Sequence, residues 1–543
     1  MIRFRFLIVL FSFLSIGYAF AQKSFTRADT LRGSITPERA WWDLNHYHLA
    51  VEIFPETKSI KGSNTIRYKV LSENQVLQLD LQEPLKITSI IQAGEKLDFK
   101  REGAAHFVNL KKKQVPGNFE ELIVSYEGQP KEAIRPPWDG GITWTKDSNG
   151  KPFIASSNQG IGSSIWWPLK DHPADEVDSL LISVTVPDGL MDVSNGRLVE
   201  IEMGQGKNTY HWSVVNPIND YGVNINVGDY VHFGEKFYGE KGTLDMDYFV
   251  LRENLEKAKV HFKDARRMME AFEHWFGPYP FYEDGFKLVD APYLGMEHQS
   301  SVTYGNGYQM GYRGRDLSGT GWGLKFDFII IHEAGHEWFA NNITYKDVAD
   351  MWIHESFTNY SESLFLDYHY GKEAGQEYVR GTRMNIANDR PIIGTYGVNQ
   401  RGSGDMYYKG GNLLNMLREI LNDDEKWRQI LRGLNQEFYH QTVTTQQVES
   451  YISQAFGMDL KPVFDQYLRD ARIPILEYYF TENQTLNYRW ISCLPNFTMP
   501  VDVEVGGEKL RIQPKASWSQ VQVKSESDLK IDPDYYVGVE KMR

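Results

Sequence analysis

The segment His332-Glu333-Ala334-Gly335-His336, followed after eighteen intervening residues by Glu355, constrains the fold of this chain more than any other part of its sequence. Two histidines four positions apart lie one turn apart on the same face of a helix, so both imidazoles can grip one metal ion. The preceding run, Phe326 to Ile331, is predominantly apolar and free of Gly and Pro, which predicts a helix buried in a core. Glu355 stands in its own aromatic-rich helical stretch, Trp352 to Tyr368. There Glu355, Asn359 and Glu362 share a face, while Phe357, Leu364 and Phe365 can pack inward. Zinc sites in hydrolases take three protein ligands and keep a fourth position for water, and His332, His336 and Glu355 make such a set. Glu333 adjoins a ligand without being one, and is placed to take a proton from the attacking water. A bare His-Glu-x-x-His arises by chance in long chains. The downstream Glu355 is what raises it above chance, against the bland reading of a surface acid near a helix start.

Four segments together resemble the gluzincin aminopeptidases, the family of aminopeptidase N and the leukotriene hydrolase. The metal motif with its spacing is the first, and Glu355-Ser356-Phe357-Thr358-Asn359-Tyr360-Ser361-Glu362 resembles the family's third-ligand helix. Upstream, Gly295-Met296-Glu297-His298 resembles the Gly-x-Met-Glu-Asn motif of these exopeptidases. Downstream, Tyr407-Tyr408-Lys409-Gly410 before Leu413 and Leu414 resembles the helix start that bears the catalytic tyrosine.

The resemblance implies a role for each segment. Glu297, with Gly295 and Met296 beside it, would bind the substrate's protonated amine, which satisfies a buried carboxylate where a blocked terminus cannot. The family adds a glutamine from its N-terminal domain, and Gln159 lies where that residue is expected. The oxyanion needs a donor besides the metal, and the motif spacing selects Tyr407, with Tyr408 in reserve. The chain also departs from the family pattern. His298 replaces Asn, while His354 and Ser356 stand where Asn and Gly are common; both histidines are expected as hydrogen-bonding residues that shape the backbone.

Organisation along the chain predicts an α+β multidomain protein. Alternation in Tyr47, Leu49, Val51 and Ile53, in Ile66, Tyr68 and Val70, and in Leu77, Leu79 and Leu81 marks an N-terminal antiparallel β domain over 22–245. Within it, the Gly- and Pro-punctuated stretch from Arg135 to Gln159 reads as a long loop over the cleft. The period changes at Phe262, Ala265, Met269, Phe272 and Phe276, opening a catalytic domain over 246–473 for which the resemblance implies a thermolysin-like fold. Alternation returns in Val501, Val503 and Val505, predicting a small C-terminal β-sandwich over 474–543. The large C-terminal helical domain of many family members is not expected, which implies a more open cleft unless the Gly-rich segment 305–323 closes it.

The first 21 residues read as a signal peptide: Met1 to Arg5 is basic, Leu7 to Gly17 apolar, and Ala19-Phe20-Ala21 supplies small residues for cleavage before Gln22. A periplasmic or secreted protein without a stable membrane anchor is expected. A single cysteine, Cys493, excludes an internal disulfide. The formal net charge of −14 argues against nucleic acid as a partner and favours attraction of a cationic amine terminus. Residues and resemblance together predict an aminopeptidase holding one zinc ion per chain and acting on peptides with a free N-terminal amine. A zinc endopeptidase would share the metal motif but has no use for Gly295-Met296-Glu297, and epoxide hydrolysis is an exception within one branch. A non-catalytic peptide-binding scaffold would be expected to have lost a ligand or Glu333.

Overall fold

The computed structural model describes residues 24–542. The leader expected over 1–21 lies outside them.

The alternating runs become strands whose inward residues form one core. Tyr47, Leu49, Val51 and Ile53 are at most 2% exposed on the strand Trp42–Phe54. This strand lies centrally in an eight-stranded sheet, antiparallel to Ser59–Val70 on one side and parallel to Ser179–Pro187 on the other. Trp41, Trp42, Trp166 and Trp167 are buried in the same cluster, so large aromatic area anchors the sheets to each other.

The stretch from Arg135 to Gln159, expected as a loop, contains a β-hairpin instead. Strands Gly141–Lys146 and Pro152–Ser157 pair antiparallel, with Ile154 opposite Trp144. Its glycines punctuate the ends: Gly141 has φ 136° and Gly150, in the connecting turn, has φ 82°. Ile142 on the first strand and Phe153, Ile154 and Ala155 on the second are buried, which is strand behaviour that the punctuation hid. Because the second strand ends at Ser157, the hairpin delivers Gln159 at a fixed place.

The next sheet joins Tyr230–Gly239, Gly242–Leu251, Phe286–Asp290, Val302–Tyr304 and Gly295–Met296 in that order. The expected division at 245/246 passes through the strand Gly242–Leu251, which serves two cores. Leu244, Met246, Tyr248 and Val250 pack with the helices, whereas Phe249 and Leu251 belong to the N-terminal cluster. The strand alternates as far as Asp247 and is buried on both faces only over Tyr248–Leu251, where the continuous apolar run masks the change from one core to the next.

Helices Lys263–Phe276 and Phe328–Gly335 pack on this sheet, Trp352–Tyr370 packs on both of them, and Tyr408–Leu421 packs on Trp352–Tyr370. Helix Trp352–Tyr370 is buried on every side from Trp352 to Leu366 and forms the axis of the domain. Beyond Arg469 the described residues form strands only, in a four-stranded and a three-stranded sheet. Trp490, Val501 and Val503 from this part share a cluster with the catalytic helices, so it is packed onto them. No helix among the described residues is long and apolar enough to cross a membrane.

Candidate active site

The metal-motif helix starts at Phe328, two residues later than the apolar run, because Asp327 caps it. The Asp327 side chain accepts from the backbone N–H groups of Ile329 at 2.9 Å and Ile330 at 3.2 Å. Ile329, Ile330 and Ile331 then enter the core, each at most 1% exposed, and turn His332 and Glu333 toward the cleft. After His336 the helix breaks: Phe339 leaves helical geometry and Ala340 takes φ 157°. That break aims the Phe339 carbonyl back at His336 Nδ1, 3.0 Å away, and Thr358 Oγ1 lies at the same distance. His332 Nδ1 is 2.7 Å from Glu362 Oε1. With each Nδ1 engaged, both Nε2 atoms are left to face a metal ion.

Glu355 completes the set. Its Oε2 lies 3.4 Å from His336 Nε2 and 3.8 Å from His332 Nε2. Tetrahedral ligands at about 2.0–2.1 Å from zinc stand roughly 3.4 Å apart, so the separations fit. Glu355 Oε2 is buried and has no hydrogen-bond partner of its own, an expensive arrangement unless a cation occupies that side. Glu297, Glu333 and His336 form an overlapping cluster. It fits less well, because Glu297 Oε1 already accepts from Gln159 Nε2 at 2.6 Å.

Electrostatics follow from burial and from the density of charge. Burial alone would raise Glu355, but His336 and His332 hold it well below the usual carboxylate range. Burial disfavours a charged His332, yet Glu355 and Glu362 lift it well above its ordinary value. Glu333 is pushed up to about 7 by burial, against the pull of His332, a value suited to proton exchange near neutrality. Burial also raises Glu297, with His336 opposing it.

The segment Gly295–Met296 runs beside the motif helix. A Cβ on Gly295 would stand 2.6 Å from Ile329 Cγ2 and 3.1 Å from Glu333 Oε1, so only glycine allows this approach. Asn341 Nδ2 donates to the Glu297 carbonyl at 2.9 Å, and the Tyr221 hydroxyl faces the Glu297 carboxylate. Gln159, from the opposite domain, donates to both Glu297 Oε1 and, at 3.1 Å, Glu355 Oε1. All nine residues singled out in the sequence therefore line one cavity of about 370 Å³.

Tyr407 and Tyr408 both reach that cavity, and their neighbours separate them. The Tyr407 ring stacks 6.1 Å from His332, and burial with Glu355 and Glu297 keeps its phenol well above the ordinary value, hence protonated. Tyr408 looks instead toward Glu362 and Tyr312. Ser356 donates to the Met406 carbonyl at 2.6 Å, tying the turn before Tyr407 to the ligand helix.

Both departing histidines make hydrogen bonds through Nδ1, while His298 Nε2 is buried without a partner. His354 Nε2 accepts from the Tyr345 N–H at 3.0 Å, and its Nδ1 lies 3.2 Å from the Tyr221 hydroxyl; burial holds it well below its ordinary value. It thus touches Tyr221, which faces Glu297. His298 is buried behind the strand with Nδ1 3.4 Å from Thr303 Oγ1, and burial lowers it to about 3. Residues that the sequence reading left without a role are Thr358, Tyr221 and Tyr378, whose hydroxyl donates to Glu362 at 2.5 Å. Only Glu362 carried a local signal, seven residues beyond Glu355 on the same face. Tyr312 and Leu317 from the segment 305–323, with Trp138, also wall the cleft, so it is less open than expected.

The "Peptidase family M1 domain" model matches residues 260–467, and the "Peptidase M1 N-terminal domain" model matches residues 44–221. The chain is similar to a leucyl aminopeptidase of Saccharolobus solfataricus, with 20% identity covering 86% of this chain and 59% of that protein. Aminopeptidase N of Lactobacillus helveticus is 23% identical, covering 81% of this chain and 52% of the relative. The chain thus spans about half the length of the curated relatives it matches. In fold it is similar to an M1 zinc metallopeptidase from Deinococcus radiodurans, with TM-score 0.68 and 20% identity over 80% of this chain and 96% of that one.

Proposed function

The chain belongs to peptidase family M1, and from that premise we propose that it is a zinc-dependent aminopeptidase removing single residues from the free N-termini of peptides. The observation that carries this reading is Glu297, a buried carboxylate beside the metal ligands whose partner across the cleft is Gln159. An endopeptidase would need an open channel at that place, whereas a carboxylate wall is satisfied by a protonated amine. Bound by His332, His336 and Glu355, zinc would supply an acidified water and polarise the scissile carbonyl.

The chain's own residues supply the remaining steps. Glu297 and Gln159 hold the amine and so fix how far the first peptide bond reaches into the cleft. Glu333 takes the proton of the water as its oxygen attacks the carbonyl carbon. Tyr407 donates to the oxyanion that develops on the substrate. Glu333 then passes the proton to the leaving nitrogen as the C–N bond breaks. Export to the periplasm or beyond, after removal of residues 1–21, belongs to the same proposal, and N-terminal sequencing of the mature protein tests it.

The activity test is hydrolysis of aminoacyl amide reporters by the zinc-loaded protein, each with a free and an acetylated N-terminus. Cleavage of the free forms alone is expected. Equal cleavage of both would overturn the assignment of Glu297 and indicate an endopeptidase, and cleavage of neither would indicate a non-catalytic scaffold.

A further inference from the structure

The segment between residues 386 and 404, which follows the helix Lys372–Gly381 and leads to Tyr407, walls the cleft with Arg390, Arg401, Gly402 and Gly404. It is pinned from several sides. The Gly394 N–H donates to the Ala349 carbonyl at 2.9 Å, the Gly397 N–H to Asp347 Oδ2 at 2.8 Å, and the Tyr396 hydroxyl to Asp350 at 2.5 Å. Asn399 Nδ2 donates to the Gly160 carbonyl at 3.1 Å, joining the segment to the residue after Gln159. The segment is thus tied to the loop that carries Gln159, which the proposed function places beside the substrate's amine and so beside the side chain of its first residue.

Two arginines of this segment, Arg390 and Arg401, line the cavity. Arg390 donates to the Gly402 carbonyl at 3.1 Å, and its neighbour Asp389 is engaged by the Ser403 hydroxyl. Arg401 is exposed into the cleft and forms no salt bridge among the described residues. Its charge reaches the phenols of Tyr407 and Tyr345. The carboxylates of the cleft are already committed: Glu355 faces the metal ligands, Glu333 the scissile bond, and Glu297 the amine. Arg390 thus shares its charge with the adjacent Asp389, whereas Arg401 faces the cleft without an ion-pair partner among the described residues, and a guanidinium is always charged and shaped to take a carboxylate in two parallel hydrogen bonds.

Resting on the aminopeptidase reading, we propose that the subsite for the first residue takes an acidic side chain, glutamate or aspartate, held by Arg401 with Arg390 beside it. The substrate then carries both charges at one residue, its amine on Glu297 and its carboxylate on Arg401, and the two contacts together fix its position.

The test compares free-amine amide reporters of Glu, Asp, Leu and Lys, which have no C-terminal carboxylate. The zinc-loaded wild type should show its highest kcat/KM with Glu or Asp. Arg401→Gln should lower the Glu-to-Leu ratio by about 10- to 100-fold, as expected for loss of a charge-assisted contact, and Arg401→Lys should keep more of it. Preference of the wild type for Leu or Lys would overturn the proposal, as would an unmoved ratio in both Arg401→Gln and Arg390→Gln. So would a loss confined to peptides ending in a free carboxylate, which would give the arginines to the far end of the substrate. Calorimetric binding of free glutamate and leucine separates this subsite from the activity. Tighter glutamate without turnover of any reporter would keep the subsite and fail the aminopeptidase reading; equal binding of the two would fail the subsite.

Discussion

Gln159 and Glu297 come from different domains and share a 2.6 Å hydrogen bond across the cleft. The amine subsite of the proposed function is therefore an interdomain structure, formed where the hairpin Gly141–Ser157 meets the segment Ala291–Met296. Gln159 also reaches Glu355 at 3.1 Å, so one amide restrains both the carboxylate proposed to bind the amine and a proposed metal ligand. Gln159→Ala should raise KM for free-amine reporters and lower kcat/KM by about 10- to 100-fold, the range for a hydrogen bond to a charged group. Zinc content should be unchanged, since none of the three ligands is removed. Steady-state kinetics with metal analysis checks this, and unchanged kinetics would remove Gln159 from the subsite.

Glu333→Gln preserves the volume of the side chain beside Gly295 but cannot accept a proton. Zinc should stay bound while kcat falls by about 10²- to 10⁴-fold, the contribution of general acid–base catalysis. Near-normal turnover in this variant would mean that another group handles the proton.

The metal set was legible because its geometry is local: two histidines on one turn, and Glu355 on a second helix whose burial its aromatic residues announced. Glu297, Gln159 and Tyr407 are different. Each is an ordinary acid, amide or phenol until a family pattern selects it, and their meeting depends on strand Gly295–Met296, the hairpin before Gln159 and the turn at Met406 converging. Tyr221, Thr358 and Arg401 carried no local signal, because what they touch lies far along the chain. The hairpin over 141–157 was hidden for a related reason, since Gly and Pro at its ends outweighed a short alternation. Likewise, strand Gly242–Leu251 is apolar on both faces over its last four residues, and its sequence marks no boundary between the two cores it serves.

Glu362 should govern metal affinity without touching the metal. It holds His332 Nδ1 at 2.7 Å and is itself held by Tyr378 at 2.5 Å and Asn359 at 3.2 Å. Glu362→Gln weakens the orientation and basicity of His332, and zinc affinity should fall by about 10- to 100-fold. Competition against a chelator of known affinity measures this. At saturating zinc most of the activity should return, whereas a merely structural defect would persist.

Asp327 links the motif helix to the rest of the domain through more than its cap. Besides the two backbone N–H groups it accepts from, its carboxylate takes the Tyr304 hydroxyl at 2.8 Å and Asn306 Nδ2 at 3.0 Å, and lies 2.5 Å from His261 Nε2. Losing an N-cap costs about 1 kcal/mol, and each buried donor left unpaired costs about 1–3 kcal/mol more. Asp327→Ala should therefore destabilise the domain by about 3 kcal/mol or more and lower its thermal midpoint in both the zinc-loaded and the chelated protein. Asp327→Asn separates the two contributions. It keeps a good capping oxygen for Ile329 and Ile330 but sets an amide donor against Tyr304 and His261, so an intermediate loss is expected. If Asn were as costly as Ala, the buried network rather than the cap would dominate; if Ala left the midpoint unchanged, Asp327 would not be what anchors His332 and Glu333.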